Sequence, residues 1–345
     1  MDLQDRVESA LKNVTEAQVF LTRGCNIRCG YCKLARDGPY ENELGLNEWK
    51  LAMMNLQNLG LRSVKIMGGE PTSEEWLPDL IRFSTENTDL KIAILTNGHF
   101  SNEYGKRLAN AGLMGIFTSV DGIESIASAG KDAERKSHIG YRVLQKAKEW
   151  GIPLRASNTV INRKNIEQIP ELVSRLSAEG IYVNLCPVIW TNEDREFSQD
   201  VPDEMKFIPG DEKLINHVMM VLLQMKYDGA RISVPDSYLI NTSRFGINVN
   251  WRCTDFVQLR IDADGALMLC NDFRTELSDK YNVTNLTKKT YQSFVEEWYK
   301  VREKTECGGC YWSCFLQAED NIKHRLEEFQ YAEKERVIAK NAVLP

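Results

Sequence analysis

Short apolar runs and amphipathic segments alternate along the first two thirds of the chain. The apolar runs are rich in Val, Ile, Phe and Leu and are bounded by Gly, Asn or Pro, a pattern typical of buried strands. These six predicted strands are Ala17–Thr22, Ser63–Met67, Lys91–Thr96, Gly115–Val120, Leu154–Val160 and Ile181–Val188. In the segments between them the apolar residues recur at spacings of three and four, which predicts helices. The predicted helices are Leu46–Leu59, Trp76–Glu86, Glu103–Ala111, Tyr141–Trp150 and Ile166–Glu179.

Successive strand–helix units predict a parallel sheet with helices outside it. A complete eight-unit barrel usually needs about 250 residues. This pattern ends near residue 230, after a further amphipathic segment at Glu212–Tyr227. The predicted fold class is therefore α/β, a partial (β/α)6 barrel.

The pattern changes from about Arg231. Short β-like pieces occur at Arg231–Val234, Phe256–Ile261 and Ala266–Cys270. The last two flank the turn Asp262–Gly265, which predicts a small β-hairpin. A polar stretch, Ala318–Ala339, has Glu and Lys at helical spacing, which predicts a solvated helix. The sequence thus predicts two domains, a barrel at residues 1–235 and a small β-hairpin plus helix extension at residues 236–345.

Composition narrows the functional class. The chain has 345 residues, of which 43% are hydrophobic, so it can bury a core, and its net charge of −6 argues against a general nucleic-acid binder. It begins with charged residues and no apolar signal segment, and its longest apolar stretch, His217–Met225, is too short to span a bilayer. We expect a cytoplasmic protein that binds neither DNA nor membranes. In that compartment its nine cysteines indicate metal or redox chemistry rather than disulfides.

Three of these cysteines follow the first predicted strand closely. Cys25, Cys29 and Cys32 form a CxxxCxxC triplet. Three thiolates on one loop can hold one face of a 4Fe–4S cluster and leave one iron open to another ligand. A structural zinc site normally takes a fourth Cys or His nearby, and the nearest histidine is His99.

The triplet resembles that of the radical SAM superfamily. The resemblance implies that the open iron binds S-adenosylmethionine, which is reductively cleaved to methionine and a 5′-deoxyadenosyl radical, and that Tyr31 packs by the adenine. Gly68, Gly69 and Glu70, followed by Pro71, come directly after the second strand and resemble the family's GGE motif. Glycines there let the backbone approach a ligand closely, and the Glu70 carboxylate can pair with an amine.

Polar residues at the next strand ends extend this resemblance. Asn97 lies in a segment similar to the family's TNG strand end, and Ser119 lies in one similar to SxDG. The resemblance implies that both contact S-adenosylmethionine and that Arg135 clamps its carboxylate, although the family's motif around that arginine is blurred here. At the fifth strand end, Ser157 and Asn158 either contact the same ligand or cap the next helix.

The remaining cysteines, apart from Cys186, lie in the predicted C-terminal extension. They are Cys253, Cys270, Cys307, Cys310 and Cys314. Four thiolates complete a 4Fe–4S cluster that has no open iron. The pattern C-x(9–15)-G-x4-C followed by C-x2-C resembles the auxiliary-cluster extensions called SPASM in the long form and twitch in the short form. The long form has further cysteines for a second auxiliary cluster, which this chain lacks, so one auxiliary cluster is the expectation.

Most ligand assignments share Cys253, Cys270 and Cys310, whereas Cys307 and Cys314 compete for the last position. Five thiols for four irons leave one spare or make an atypical site. Cys186 is on the sixth predicted strand, where a cysteine is more often a small buried hydrophobe than a ligand. If it faces the barrel interior, it touches substrate. Asp272, two residues after Cys270, is the candidate acid or base, and the alternative is a solvated turn aspartate.

The resemblance implies an enzyme that abstracts hydrogen from a peptide or small-molecule substrate. An auxiliary cluster then assists electron transfer or substrate binding, and a protein such as flavodoxin or ferredoxin supplies the reducing electron. Only 16 residues precede the first predicted strand, so we expect no leader-recognition domain of the kind found in some peptide maturases. The alternative is a zinc- or iron–sulfur-binding interaction or electron-transfer protein without this chemistry. Gly68–Glu70 and the polar strand ends argue against it.

Overall fold

The computed structural model describes most of the chain. The described residues are 2–29, 32, 38–122, 131–188, 201–246, 253–307, 313, 315–320 and 322, with the backbone alone for residues 131–137. Three predicted site residues, Tyr31, Cys310 and Cys314, lie outside the described residues, as do most of the predicted helix Ala318–Ala339 and the side chain of Arg135.

Seven parallel strands form one sheet in the described part of the chain. They are β1 Glu16–Phe20, β2 Ser63–Met67, β3 Lys91–Thr96, β4 Gly115–Ser119, β5 Leu154–Ile161, β6 Tyr182–Pro187 and β7 Leu259–Ile261. Their order is β6-β5-β4-β3-β2-β1-β7, and every neighbouring pair is parallel. The sheet curls into a half-barrel, which confirms the predicted partial barrel.

The seventh strand is a difference from the six predicted. β7 comes from the segment assigned to the C-terminal extension, and it pairs with β1 through Ala17 with Leu259 and Val19 with Ile261. A three-residue strand has too few positions to show a period, and its partner is far away along the chain. The two-domain boundary near residue 235 stays a prediction.

Helices cover the outer face of the sheet. Within the described residues they are α1 Leu3–Asn13, α2 Leu46–Asn58, α3 Leu77–Asn87, α4 Asn102–Asn110, α5 Lys131–Glu149, α6 Ile169–Ala178, α7 Glu212–Tyr227, α8 Asp236–Phe245, α9 Glu276–Lys280 and α10 Lys288–Lys304. The six predicted barrel helices are confirmed, although α5 begins earlier than Tyr141. The sequence pattern did not predict α1, α8, α9 or α10.

Helix α2 illustrates why apolar residues at spacings of three and four predict a helix correctly. Trp49, Ala52, Met53 and Leu56 recur at spacings of three and four, and all are fully buried against the sheet. The helix begins after Gly45, whose backbone N–H donates to the Glu48 carboxylate at 2.8 Å. One buried stripe and one N-terminal cap therefore define this helix.

The predicted hairpin turn is confirmed. The Gly265 N–H donates to the Asp262 carbonyl oxygen at 2.9 Å, and Asp262 N–H donates to the Ala266 carbonyl oxygen at 2.9 Å. Gly265 has a φ of 81°, a conformation that favours glycine. The turn follows β7 directly, so it places the chain that leads to Cys270 beside the barrel.

In the described part of the chain, no helix combines the length and the apolar composition needed to cross a bilayer.

Candidate functional site

A cavity of about 210 Å³ opens at the carboxyl ends of the strands. Most of the predicted site residues of the N-terminal region line it together. They are Cys25, Cys29, Cys32, Gly68, Gly69, Glu70, Asn97, Ser119 and Asn158. Carboxyl ends of parallel strands meet at one edge of a sheet, which is why residues distant in sequence converge here.

The cysteine loop continues directly from β1. The Cys32 N–H donates to the Cys29 carbonyl oxygen at 3.1 Å, so the second half of the triplet forms a tight turn. Burial raises the pKa of the Cys25 thiol to about 11, and the charges of Glu70, Cys29 and Cys32 add to the rise. A thiolate at Cys25 therefore needs positive charge beside it, which a bound iron supplies.

The start of this loop is fixed by a buried ion cluster. The Arg23 guanidinium forms two hydrogen bonds to the Asp262 carboxylate, Nε to Oδ1 and Nη2 to Oδ2, both 2.7 Å long. Arg274 also binds Asp262, and it reaches Asp264 at 2.9 Å. Arg23 and Asp262 are almost completely buried. The hairpin turn therefore supplies the counterion for the residue that stands two positions before Cys25.

Gly68 and Gly69 bring the turn after β2 against the cysteine loop. The Gly69 N–H donates to the Thr22 carbonyl oxygen at 2.7 Å, and the Glu70 N–H donates to the Gly24 carbonyl oxygen at 2.8 Å. A Cβ on Gly69 would lie 1.9 Å from the Gly24 oxygen, and one on Gly68 would lie 2.3 Å from the Thr22 oxygen. The close approach that requires glycine is thus to the backbone of the cysteine loop.

The Glu70 carboxylate is 1% exposed and joins two strand ends. Its Oε1 accepts hydrogen bonds from the Thr72 N–H at 3.0 Å, the Thr72 hydroxyl at 2.6 Å and the Thr96 hydroxyl at 2.6 Å. Its Oε2 accepts from the Asn97 N–H at 2.7 Å. Burial raises the pKa of Glu70, and these hydrogen bonds oppose the rise. Two oxygens offer about four acceptor positions, so Oε2 retains capacity for one further donor, such as an amine.

Asn97 connects the end of β3 to the cysteine loop. Its Nδ2 donates to the Asn26 side-chain oxygen at 2.8 Å and lies 4.0 Å from the Cys25 sulfur. Its Oδ1 accepts from the His99 N–H at 2.9 Å. This side chain therefore supports the loop and also faces the cavity.

The structure separates Ser157 from the other predicted site residues. Ser119 and Asn158 line the cavity, whereas Ser157 is fully buried on the other face of β5. Its hydroxyl pairs with the Thr159 hydroxyl at 3.1 Å. Successive residues of a strand point to opposite faces, so Ser157 and Asn158 cannot both face the interior.

Sequence reasoning missed several interior side chains. The cavity is also lined by Gln18, Lys65, Phe117, Asn184, Asn271 and Ser313. The Lys65 ammonium lies 4.4 Å from the centre of the Phe117 ring. The sequence could have indicated these interior positions, because Gln18 and Lys65 stand between buried aliphatic residues of their strands and Phe117 follows one. Cys186 lines the cavity as well, so its side chain faces the barrel interior.

Asn271 stands out among these interior residues. It is 3% exposed, and its Nδ2 donates to the Gln18 Oε1 on β1 at 2.9 Å. Within the described residues no group donates to the Asn271 Oδ1, although this atom is buried. A buried acceptor without a donor is costly, so this atom is suited to receive a hydrogen bond from a molecule in the cavity.

A second group of thiols lies beside the hairpin. The Arg302 Nε donates to the Cys253 sulfur at 3.1 Å, and the Arg302 charge also interacts with Cys270 and Cys307. Burial raises the pKa of Cys270 far above its ordinary value, and the neighbouring Asp272 adds to the rise. Asp272 is 4% exposed, so it is a buried aspartate rather than a solvated one, and it does not line the cavity.

The N-terminal thiols are a donor set that suits an iron–sulfur cluster. Among the residues that the structure describes, no group of three or more His, Cys, Asp or Glu side chains is arranged to hold a metal ion. A cuboidal cluster instead needs thiolates on separate irons, spread around a common space. Cys25, Cys29 and Cys32 share the wall of one cavity in this way, and the donor set fits the cluster chemically.

Comparison with known proteins agrees with this geometry. The model of the radical SAM superfamily matches residues 19–176. The chain is 32% identical over 163 residues to Fe-coproporphyrin III synthase of Methanosarcina barkeri, which covers 47% of this chain and 40% of that protein. The chain therefore spans less than half the length of this relative. It is also 26% identical over 322 residues to GTP 3′,8-cyclase of Aquifex aeolicus, covering 87% of this chain and 92% of that protein.

A solved structure has the same fold. SuiB of Streptococcus suis, bound to the precursor peptide SuiA, superimposes with a TM-score of 0.61 at 16% identity, covering 87% of this chain and 70% of that one. The matched residues 19–176 include the cysteine triplet, the Gly68–Glu70 turn and the cavity-lining residues Asn97, Ser119 and Asn158. Residues 19–176 of the chain therefore form a radical SAM domain.

Proposed function

We propose that this protein is an enzyme that cleaves S-adenosylmethionine reductively and abstracts hydrogen from a bound substrate. The observation that carries the proposal is the convergence of three thiols, the glycine turn and the polar strand ends on one cavity. Membership of the superfamily implies a 4Fe–4S cluster and S-adenosylmethionine binding.

The proposed roles follow from the positions of the residues. Cys25, Cys29 and Cys32 hold the cluster, which when bound supplies the electron for forming a 5′-deoxyadenosyl radical from S-adenosylmethionine. The remaining acceptor position on Glu70 Oε2 suits the amine of that ligand, and Asn97 holds the cysteine loop in place. Ser119 and Asn158 face the cavity, where their polar atoms can orient the ligand. For Tyr31 and Arg135 we propose the contacts that the resemblance implies: Tyr31 packs by the adenine, and Arg135 binds the carboxylate of S-adenosylmethionine.

We further propose one auxiliary 4Fe–4S cluster in the C-terminal region. Cys253, Cys270 and Cys307 lie around the Arg302 guanidinium, which supports a common site for these thiols. Cys310 and either Cys307 or Cys314 complete the set with Cys253 and Cys270, because a closed cluster takes four thiolates. This arrangement corresponds to the short, twitch-like form of the extension. Asp272, buried next to Cys270, is the proposed group that takes or gives a proton there.

The substrate is proposed to lie between the two cluster sites. Asn271 follows the ligand Cys270 directly and faces the cavity, so it connects the auxiliary site with the barrel interior. The name of the Aquifex relative supports a small-molecule substrate, and the SuiB complex supports a peptide. A one-electron donor such as flavodoxin or ferredoxin is the proposed redox partner.

The test uses the full chain reconstituted anaerobically with iron and sulfide. We expect about eight irons per chain, two clusters of four. With S-adenosylmethionine and dithionite, the protein should produce 5′-deoxyadenosine, and replacing all three of Cys25, Cys29 and Cys32 with Ala should abolish it. Candidate substrates, GTP and a peptide library, are then screened for stimulation of that cleavage.

Three results would contradict the proposal. Full 5′-deoxyadenosine production by the triple variant removes the N-terminal cluster from the mechanism. Bound zinc in place of iron favours an interaction protein without radical chemistry. About twelve irons per chain would mean two auxiliary clusters rather than one.

A further inference from the structure

A buried arginine lies at the centre of the C-terminal thiol group. Arg302 is on α10, near its end, and is 9% exposed. Its Nε donates to the Cys253 sulfur at 3.1 Å and to the Cys253 carbonyl oxygen at 3.1 Å. Its Nη1 donates to the Thr305 carbonyl oxygen at 3.2 Å. The guanidinium is therefore held rigidly, with one N–H directed at a cysteine sulfur.

The partners of Arg302 are the sulfur of Cys253 and two backbone carbonyl oxygens. In the described part of the chain no carboxylate forms an ion pair with it. A buried cation without a carboxylate is costly, which indicates that this site is built for an anionic group carried by the thiolates.

We propose that Arg302 raises the reduction potential of the auxiliary cluster. The proposal rests on the presence of that cluster, which is part of the proposed function. Reduction adds one negative charge to a cluster that its thiolates already make anionic. A nearby positive charge and an N–H···S hydrogen bond to a ligand sulfur both stabilise the more negative state. Arg302 is thus a positioning residue that favours acceptance of an electron at the auxiliary site.

The same side chain orients the ligand Cys253. One N–H bonds both the sulfur and the carbonyl oxygen of that residue, so the thiol direction is fixed relative to its own backbone. Cys270 follows the hairpin and Cys307 follows α10, so Arg302 is the group that the three segments share. Lys at this position would keep a charge but lose the rigid fork.

The experiment measures the potential of the auxiliary cluster alone. The full chain carrying Cys25→Ala, Cys29→Ala and Cys32→Ala is reconstituted anaerobically and titrated with dithionite while the cluster is followed by electron paramagnetic resonance. Arg302→Met is added to this background, together with Arg302→Lys. We expect the Met variant to have a more negative potential than the parent protein, and the Lys variant to lie between the two.

Arg6→Met is the matched control. Arg6 is on α1, pairs with Asp255 at 3.3 Å and lies 4.2 Å from the centre of the Tyr299 ring; within the described residues it forms no hydrogen bond to a thiol. Its removal should shift the potential much less than Arg302→Met does.

The outcomes separate the inference from the proposed function. A cluster that is present in the Met variant with the potential of the parent, or a more positive one, overturns the role of Arg302. A shift equal to that of Arg6→Met overturns it as well. If the Met variant does not retain the cluster, the Lys variant decides by the same criterion. A parent protein without any cluster on the triple-Ala background contradicts the auxiliary cluster itself.

Discussion

Asp262→Asn removes the charge at the centre of the ion cluster that joins the cysteine loop to the hairpin. Asp262 is fully buried and bonds Arg23 through two 2.7 Å hydrogen bonds, with Arg274 on the same carboxylate. The Arg23 guanidinium lies 4.9 Å from the Phe20 ring centre and 5.2 Å from that of Tyr40, so it cannot turn outward to water without breaking this packing.

The expected loss of stability follows from this burial. Removing one partner of a buried ion pair leaves the other charge uncompensated and typically destabilises a protein by about 3–5 kcal/mol. Arg274 retains Asp264 at 2.9 Å, whereas Arg23 loses the charged acceptor of its two 2.7 Å hydrogen bonds. We therefore expect a decrease of about 3 kcal/mol or more in the free energy of unfolding. Because Arg23 stands two residues before Cys25, iron content should fall as well.

Urea denaturation followed by tryptophan fluorescence measures the change, and iron analysis of the reconstituted protein measures the second effect. Asp79→Asn is the matched control. Asp79 faces Arg82 at 3.9 Å on the exposed surface of α3, where such a pair contributes about 0–1 kcal/mol. If Asp262→Asn unfolds within about 1 kcal/mol of the wild type and binds iron fully, the argument from the buried charge is wrong.

Three further changes test the site and the surface. Gly69→Ala places a Cβ 1.9 Å from a carbonyl oxygen of the cysteine loop, so iron content and 5′-deoxyadenosine production should both drop severely. Gly45→Ala is the control and should preserve both, because its Cβ meets only a side-chain oxygen at 3.7 Å. Cys186→Ser should retain the full iron content, because the Cys186 thiol lies on β6 and donates to the Thr159 carbonyl oxygen at 3.8 Å; loss of four irons would show that it is a ligand. The hydrogen bond from Lys226 lowers the pKa of Asp236 below its ordinary 3.8, so the stabilisation is present above that value and is lost as the pH falls. Asp236→Asn should therefore lower the free energy of unfolding at neutral pH by only about 0.5 kcal/mol, since the pair is partly exposed, and the difference should shrink as the pH falls below 3.8 in urea titrations. An undiminished difference there would refute the assignment.

The sequence by itself determined the barrel and the first thiol site. Strand and helix periods report which residues are buried locally, so β2, β3 and α7 have the predicted bounds. The triplet at Cys25 and the turn at Gly68 are also local, because a loop of eight residues or a turn of three contains the whole motif. Short-range patterns of this kind can be recognised without knowledge of the rest of the chain.

Only the tertiary structure decided the pairings between distant segments. It joined β7 to β1, Arg23 to Asp262, Gln18 to Asn271 and Arg302 to Cys253. Strand alternation tells which residues face the interior, but it does not tell which strand becomes the neighbour. The tertiary structure likewise decided that Asn158 faces the cavity and Ser157 lies on the other face of the sheet, because this depends on how the strand is rotated. Hydrogen bonds and ion pairs between segments depend on three-dimensional distance, and no periodic pattern in one dimension encodes that distance.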